Sequence, residues 1–435
     1  MTKLDDYIAV TYRNATNWFE QEVNRTYQQK RIQEVWRLKD YLVNNNHKVR
    51  LREDMKYKDK TYTVRKILLN NAKTVLNFHN TYLLGKDVSL SGSKDLLKDV
   101  QDVYKYGNYS DIDYKLLSFF NAYNNAFEYV YKNEKGNITS KVIKAEDGYP
   151  IINENNEYVG FIEYYLTIEN IEYYNVFDVD TVKMYNNEGG QLKLVNQYRN
   201  ESGLPIIYGN VYESEGLLSN IVDLIDEMED LLSKLGDSIY INSLSPLLLI
   251  TGQQIEGSLN KDGVGYSVSL ENGSDMKYVN AEMDYKTIKY YLDTLIQNLN
   301  LNSYMPSILM GNTNVANVSE VSLKMLYNLA DVWALVSEKV LRRGFNDRIN
   351  IIRKLLGEES RDEYINITFN YNRPSNASEL LENIKSMWEM NSISRQSIIE
   401  KSPIVNDVNM ELDRLKSEVA DNSSKKYKAS KSVEK

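Results

Sequence analysis

The stretch ITFNYNRPSNASEL (367–380), followed by ISRQSIIEKSPIVNDVNMELDRLKSE (393–418), decides how this chain is read. Residues Ile367–Tyr371 alternate apolar and polar side chains, the period of a half-buried strand. The run ends before Pro374, which has no amide to continue a central ladder. Asn376 stands three residues before Glu379, the spacing of a capping box, and opens a helix expected over Ala377–Met390. Ser394 starts a second short helix that Pro403 stops; Asn406 or Asp407 starts a third, ending near Ala420. Residues 421–435 are polar and lysine-rich, without an apolar face, and are expected to form a disordered tail.

Working towards the N-terminus, a long helix begins at Asn317 or Ser319 and runs to Leu356-Gly357, with a bend expected at Gly344. Its apolar positions Val321, Met325, Leu329, Val332, Val336 and Val340 recur at three and four, and Trp333 joins them. Before it, NSYMPSILMGNTNVANVSE (302–320) is an irregular polar stretch between two helices. Residues Asp284–Leu301 read as a helix. Upstream lies a small β unit: LLLITG, GYSVSL and DMKYV, with Asn272-Gly273 as a hairpin signal between the last two. Gly216–Asn242 is the clearest helix, with Leu217, Ile221, Leu224, Met228, Leu231, Leu235 and Ile239 on one stripe. Asp223, Asp226, Glu227, Asp230 and Asp237 lie opposite, giving a packing face and an acidic face. From Ala126 to Tyr212 the period is two, which predicts a mostly antiparallel sheet region. The carboxylates Glu163, Glu169, Glu172, Asp178 and Asp180 there read as its solvated side. Residues 14–85 read as helical, clearest at Gln21–Leu42 and Ile67–Leu84, with an extended linker or hairpin in MKYKDKTYTV; shorter helices follow at Leu96–Tyr104 and Tyr114–Asn125.

Composition narrows the function. The 435 residues suffice for two or three domains, and 42% hydrophobic with 26% charged residues is ordinary for a soluble fold. There is no cysteine, so disulfides and thiolate metal sites do not arise. The start of the chain lacks a charged-then-apolar leader, and no apolar run approaches the length of a membrane span, so cytoplasmic synthesis and no membrane partner are expected. A net charge of −9 argues against avid gripping of phosphates. His47 and His79, the two histidines, lie in helical surroundings and read as structural, which leaves no catalytic triad or dyad. No phosphate-cradling glycine loop occurs, and the Asp-rich helix lacks the central glycine of a calcium loop. No catalytic residue, metal ligand or cofactor is expected.

As an ordered string, the C-terminal segment resembles the signature of portal proteins from tailed double-stranded DNA bacteriophages, particularly those of Gram-positive hosts. KILLNNAKTVLNFHNTYLLGKDVSLSG (66–92) is similar to that family's N-terminal helix and following turn. SGLPIIYGNVYESEGLLSNIVDLIDEMEDLLSKLGDSI (202–239) resembles its approach to a stem helix carrying Leu224, Ile225 and Asp226, and PLLLITG the stretch leaving that helix. These anchors span 66–418. Two departures stand out: NVSEVSLKM opens the long helix where a small-residue pair is expected, and the crown segment is short.

The resemblance implies an α+β portal-type fold assembled as a ring. Its parts would be an N-terminal wing (1–215), a first stem helix (216–243), a clip (244–283), a second stem helix (284–304) and a tunnel loop (305–318). A long wing helix with the following strand (319–375), a crown (376–420) and the tail (421–435) would complete it. The implied role is a structural channel, dodecameric, at the capsid portal vertex for DNA packaging and ejection. Its partners would be double-stranded DNA, the terminase large subunit, head-tail adaptor or neck proteins, and capsid and scaffolding proteins, after assembly in the host cytoplasm. Asn312, Asn314 and Asn317 would lie near the duplex, and part of the acidic face would border the channel or a neighbouring subunit. ATP hydrolysis would come from a separate motor. Two alternatives stand beside this: a helical scaffold or adaptor with no channel, and a metal-dependent nuclease using Asp and Glu.

Overall fold

In the computed structural model the described residues are 2–57, 60–211, 216–240, 247–252, 272–279, 284–306, 320–358, 364–374 and 377–402, with pieces of 405–418. They divide between two compact units: Met1–Met305 with Leu329–Asn372, and Pro306–Asn328 with Arg373–Lys435. The fold is α+β.

In the first unit, α1 (Lys3–Tyr12), α2 (Trp18–Val23) and α3 (Thr26–Leu42) open the chain. The helix expected over Gln21–Leu42 is interrupted at Asn24-Arg25, where the Asn24 amide turns back on Glu20 and Glu22. A 3₁₀ turn (Lys48–Leu51) and the hairpin β1 (Met55–Tyr57) and β2 (Lys60–Tyr62) follow. Residues 63–70 form neither helix nor strand up to α4 (Asn71–Leu84), which is succeeded by β3 (Ser89–Gly92), α5 (Lys94–Tyr106) and α6 (Tyr109–Tyr123).

The period-two region folds as expected into antiparallel strands. These are β4 (Asn125–Lys132), β5 (Ile138–Ile143), β6 (Gly148–Ile152), β7 (Tyr158–Leu166), β8 (Glu172–Phe177), β9 (Thr181–Asn186), β10 (Lys193–Arg199) and β11 (Ile206–Gly209). They form a five-stranded sheet, β10-β9-β8-β7-β6, and a three-stranded sheet, β11-β4-β5. Asn156 and Asn170 turn the chain at positive φ, a conformation asparagine tolerates better than most side chains. Phe127, Tyr129 and Ile143 of one sheet pack on Phe161, Phe177 and Val182 of the other. The outer face of the larger sheet buries Tyr149, Ile151 and Tyr174 against α1 and α2. One expected solvated carboxylate is an exception: Glu163 is buried, paired with Lys141 at 2.6 Å and accepting from Asn175 at 2.9 Å.

Next come α7 (Val222–Ile239), β12 (Leu247–Thr251), β13 (Asp275–Val279) and α8 (Tyr285–Asn302). DMKYV pairs antiparallel with LLLIT, while GYSVSL lies outside the described residues. After α9 (Glu320–Leu326) comes α10 (Asn328–Leu356), then β14 (Ile365–Thr368), which pairs with β3. The second unit contains α9, α11 (Ala377–Glu389) and α12 (Arg395–Lys401). Ser394 caps α12 through the Ser397 amide at 3.2 Å; Asn376, Pro403, Asn406 and Asp407 lie outside the described residues.

The single long helix expected from Asn317 or Ser319 is divided at Tyr327 into α9 and α10. α10 runs through Gly344, where a Cβ would meet the Tyr208 ring, so glycine serves close packing. Most of the apolar stripe does not face the chain's own core. Ala330, Ala334, Ser337, Leu341 and Phe345 do, while Val321, Met325, Val332 and Val336 are exposed. The sheet-side aromatics Tyr208 and Phe345 and the buried Arg348 fill that side of α10, leaving room for small side chains on the same face. Arg348 is fully buried, 2.8 Å from Glu128 and 2.6 Å from Asp113, with its guanidinium over the Phe345 ring. Among the described residues no helix is long and apolar enough to cross a membrane.

Candidate functional site

The acidic helix α7 is the one predicted site that the structure describes. Its apolar side packs as the sequence pattern requires: Leu217, Leu218, Ile221, Ile225 and Met228 are buried with Val35 and Leu38 of α3, Val75 and Leu76 of α4, and Leu295 and Leu299 of α8. The opposite side is not left to solvent. Glu229, Ser233 and Asp237, at successive intervals of four, accept the backbone amides of Leu69 (2.7 Å), Ile67 (2.9 Å) and Arg65 (2.9 Å).

The match has a geometric cause. Four helical residues advance about 6.0 Å. Two extended residues advance about 6.4–6.8 Å. Acceptors on one helical stripe therefore meet alternate amides of an extended strap in near register over three rungs. Gly236 leaves room for the Arg65 side chain, since a Cβ there would lie 2.8 Å from Arg65 Cδ. The same ladder explains why α4 begins at Asn71 and not at Ile67 as expected: the intervening amides are committed to α7.

Side chains close both ends of the ladder. Arg52 donates to Asp237 at 2.8 Å and lies 3.7 Å from Asp230. At the other end His47 Nδ1 lies 2.8 Å from a Glu229 carboxylate oxygen and Nε2 lies 3.0 Å from the Tyr41 carbonyl. The imidazole also stacks on Tyr41, centroid to centroid 3.8 Å, and the Tyr41 hydroxyl donates to Asp226 at 3.2 Å. Lys48 reaches Asp223 at 2.8 Å and Asp226 at 3.5 Å. Burial pushes the Glu229 carboxyl up, opposed by the Leu69 amide and His47. The Lys48 hydrogen bond and charge hold Asp223 below the usual carboxylate range.

The acidic face thus separates into two parts. Asp237 is buried in the strap contact and Asp226 is buried against Tyr41 and Lys48, a correction to their reading as part of a face away from packing. Asp223 and Glu227 are exposed and Asp230 is half-buried; Glu227 accepts from Tyr291 of α8 at 3.0 Å. Asn312, Asn314 and Asn317 lie outside the described residues. Glu229, Ser233 and His47 were not among the predicted site residues. Their signal was a polar i, i+4, i+8 stripe, which by itself looks like any solvated helix side.

Donor atoms of His47, Asp226 and Glu229 lie within 4.8 Å of one another, a grouping that could in principle hold a cation. Each is already matched to protein: both imidazole nitrogens are used, Glu229 takes the Leu69 amide, and Asp226 takes the Tyr41 hydroxyl. The group acts as a buried clamp between α7 and the segment after α3.

A sequence model described as phage portal protein, SPP1 Gp6-like, matches residues 24–425. No protein of curated function matches. Among solved structures, the neck of an empty GTA particle computed with C6 symmetry is similar at 11% identity and a TM-score of 0.47, covering 79% of this chain and 88% of that one. The virion of a native gene transfer agent particle is similar at 12% identity and a TM-score of 0.44, covering 75% and 87%. At such identity and fit these two add nothing to the family match.

Proposed function

This chain belongs to the phage portal protein family, SPP1 Gp6-like, and we propose that copies of it close into a dodecameric ring whose channel passes double-stranded DNA. The family match across 24–425 carries this reading. The order helix, small β unit, helix and long helix (α7, β12–β13, α8, α10) supports the assignment of stem, clip and wing. In the proposed assembly the terminase large subunit docks during packaging and head-tail adaptor or neck proteins afterwards, with capsid and scaffolding proteins around the vertex. The protein acts as structure, not as an enzyme, and its assembly takes place in the host cytoplasm.

The duplex-facing groups of this proposal are Asn312, Asn314 and Asn317, together with the exposed acids of α7, Asp223 and Glu227. Asp237 is committed to the strap and Asp226 to Tyr41 and Lys48, and neither takes part. A channel must guide DNA without holding it, and each phosphate neutralised by a fixed cation adds salt-sensitive affinity. Short amides and exposed carboxylates avoid that grip. Negative-stain electron microscopy of the purified chain tests the ring, which should show closed annuli with a central opening. Glu227→Lys with Asp223→Lys should make those rings retain duplex DNA at low salt. Monomers under all assembly conditions, or divalent-dependent DNA cleavage by the pure protein, would overturn the proposal.

A further inference from the structure

We propose that Asn272 is a site of non-enzymatic covalent change. Its side-chain amide is lost through a cyclic imide closed by the Gly273 nitrogen, leaving aspartate or its β-linked isomer in the turn that enters β13. Asn272-Gly273 is the single Asn-Gly pair of the chain. Asparagine is among the thermolabile side chains, and its lifetime depends on whether the next backbone amide can reach its side-chain carbonyl carbon. Glycine in the next position removes the Cβ that would stand in the way. Both residues are exposed, and a Cβ built on Gly273 would meet nothing within 4 Å. Among the described residues nothing accepts a hydrogen bond from the Gly273 amide. Three pairs with the same chemistry show what closes it elsewhere. In Asn302-Ser303 the Ser303 amide donates to the Leu299 carbonyl at 2.9 Å, and in Asn391-Ser392 the Ser392 amide donates to Met387 at 3.0 Å. Giving up a bond of that kind slows attack by up to about tenfold. Asp147-Gly148 could close the same ring, but Gly148 is buried in β6 with the Phe127 ring against it.

The ring closes when the Gly273 nitrogen bonds to Asn272 Cγ and the Cγ–Nδ2 bond breaks. The amide proton passes through solvent to the departing nitrogen, which leaves as ammonia. Water then opens the imide. Cleavage at Cγ restores an ordinary aspartate. Cleavage at the main-chain carbonyl carbon leaves Gly273 joined to Cγ, and the backbone is longer by one carbon. No electrons change hands, and water is the sole co-reactant. Either product places a new carboxylate close to Asp275, where β13 begins opposite Thr251. The lengthened backbone enters a hairpin with little slack, since a Cβ on Gly252 would already lie 3.0 Å from Ser274 Cα.

The test follows the full-length chain at mildly alkaline pH in water enriched in heavy oxygen, read by peptide mass spectrometry. The peptide holding Asn272 should turn acidic roughly tenfold or more faster than those holding Asn302 and Asn391. It should take up heavy oxygen and contain more isoaspartate than aspartate. Unfolding in urea frees the Ser303 and Ser392 amides, so the rate ratio should narrow by up to about tenfold. Gly273 holds φ 89°, which strains other residues, so the variant changes the asparagine instead. Asn272→Gln should stop the reaction, because glutamine would have to close a larger ring. Equal rates at the three asparagines of the folded chain, aspartate as the sole product, or a ratio unchanged in urea would overturn the inference. Should the variant misfold, the three wild-type peptides decide.

Discussion

Replacing Glu229 with alanine should release the strap from α7. Its carboxylate is fully buried and accepts the Leu69 amide at 2.7 Å and His47 at 2.8 Å. Truncation leaves the buried Leu69 amide and a buried His47 ring nitrogen without their partner. A hydrogen bond to a charged group contributes about 1.5–3 kcal/mol. Leaving a buried polar group unsatisfied costs about 1–3 kcal/mol more. The two losses overlap, so about 3–5 kcal/mol is the expected cost of closing the strap. At 1.4 kcal/mol per decade, amide exchange over 64–70 should accelerate by roughly two to three orders of magnitude. Hydrogen–deuterium exchange on peptides covering that segment reads this directly. Glu229→Gln keeps an acceptor oxygen but loses the charge, and should fall between wild type and alanine. In a double-mutant cycle with His47→Phe, which preserves the ring stacked on Tyr41, the two losses should fall short of additive by more than about 0.5 kcal/mol. Wild-type exchange over 64–70 in Glu229→Ala, or strict additivity in the cycle, would refute the ladder as the element holding the strap.

Two further outcomes follow from the core around α10. Burial raises the Asp113 carboxyl to about 7 despite Arg348, because Glu128 already shares that cation. The folded value lies above the unfolded one, so this group's contribution is complete below about pH 4 and is lost as pH rises through about 7, on the order of 4 kcal/mol as an upper bound. Asp113→Asn, which keeps an acceptor for Arg348, should flatten urea-denaturation stability between pH 4 and pH 8; an unchanged slope would exclude this group as its source. Gly344→Ala gains helix propensity of about 1 kcal/mol. Its Cβ would meet Tyr208, whose hydroxyl is fixed on Glu128 at 2.5 Å. Overpacking of about 1–3 kcal/mol should win and lower the thermal midpoint. A raised midpoint would show that Tyr208 can move aside.

Much of the fold was legible from residue periods because those periods record which side of each element is buried. The two-residue alternation from Ala126 onward gave antiparallel strands, and the Gly216–Asn242 stripe gave α7 with its packing side, although its regular helix starts at Val222. The strand near Ile367 came two residues early, at Ile365–Thr368, a shift within the usual slack of element ends. Errors fell where a distant segment took over local hydrogen bonds. Ile67–Asn70 has helix-compatible residues, yet its amides belong to α7. The α10 stripe shows the opposite limit: periodicity reports an apolar side without saying what packs against it.

By itself the sequence determined the class of fold, the succession of helix, β unit and long helix, the family through its ordered motifs, and an overall charge unsuited to gripping DNA. Those are consequences of local period and composition, which each segment carries alone. The tertiary structure decided which carboxylates of α7 are buried and which remain exposed, how His47 is held, and which of α10's two apolar sides the chain keeps for itself. Such choices depend on what another part of the chain, far away in sequence, places opposite each side chain, and no local pattern encodes that.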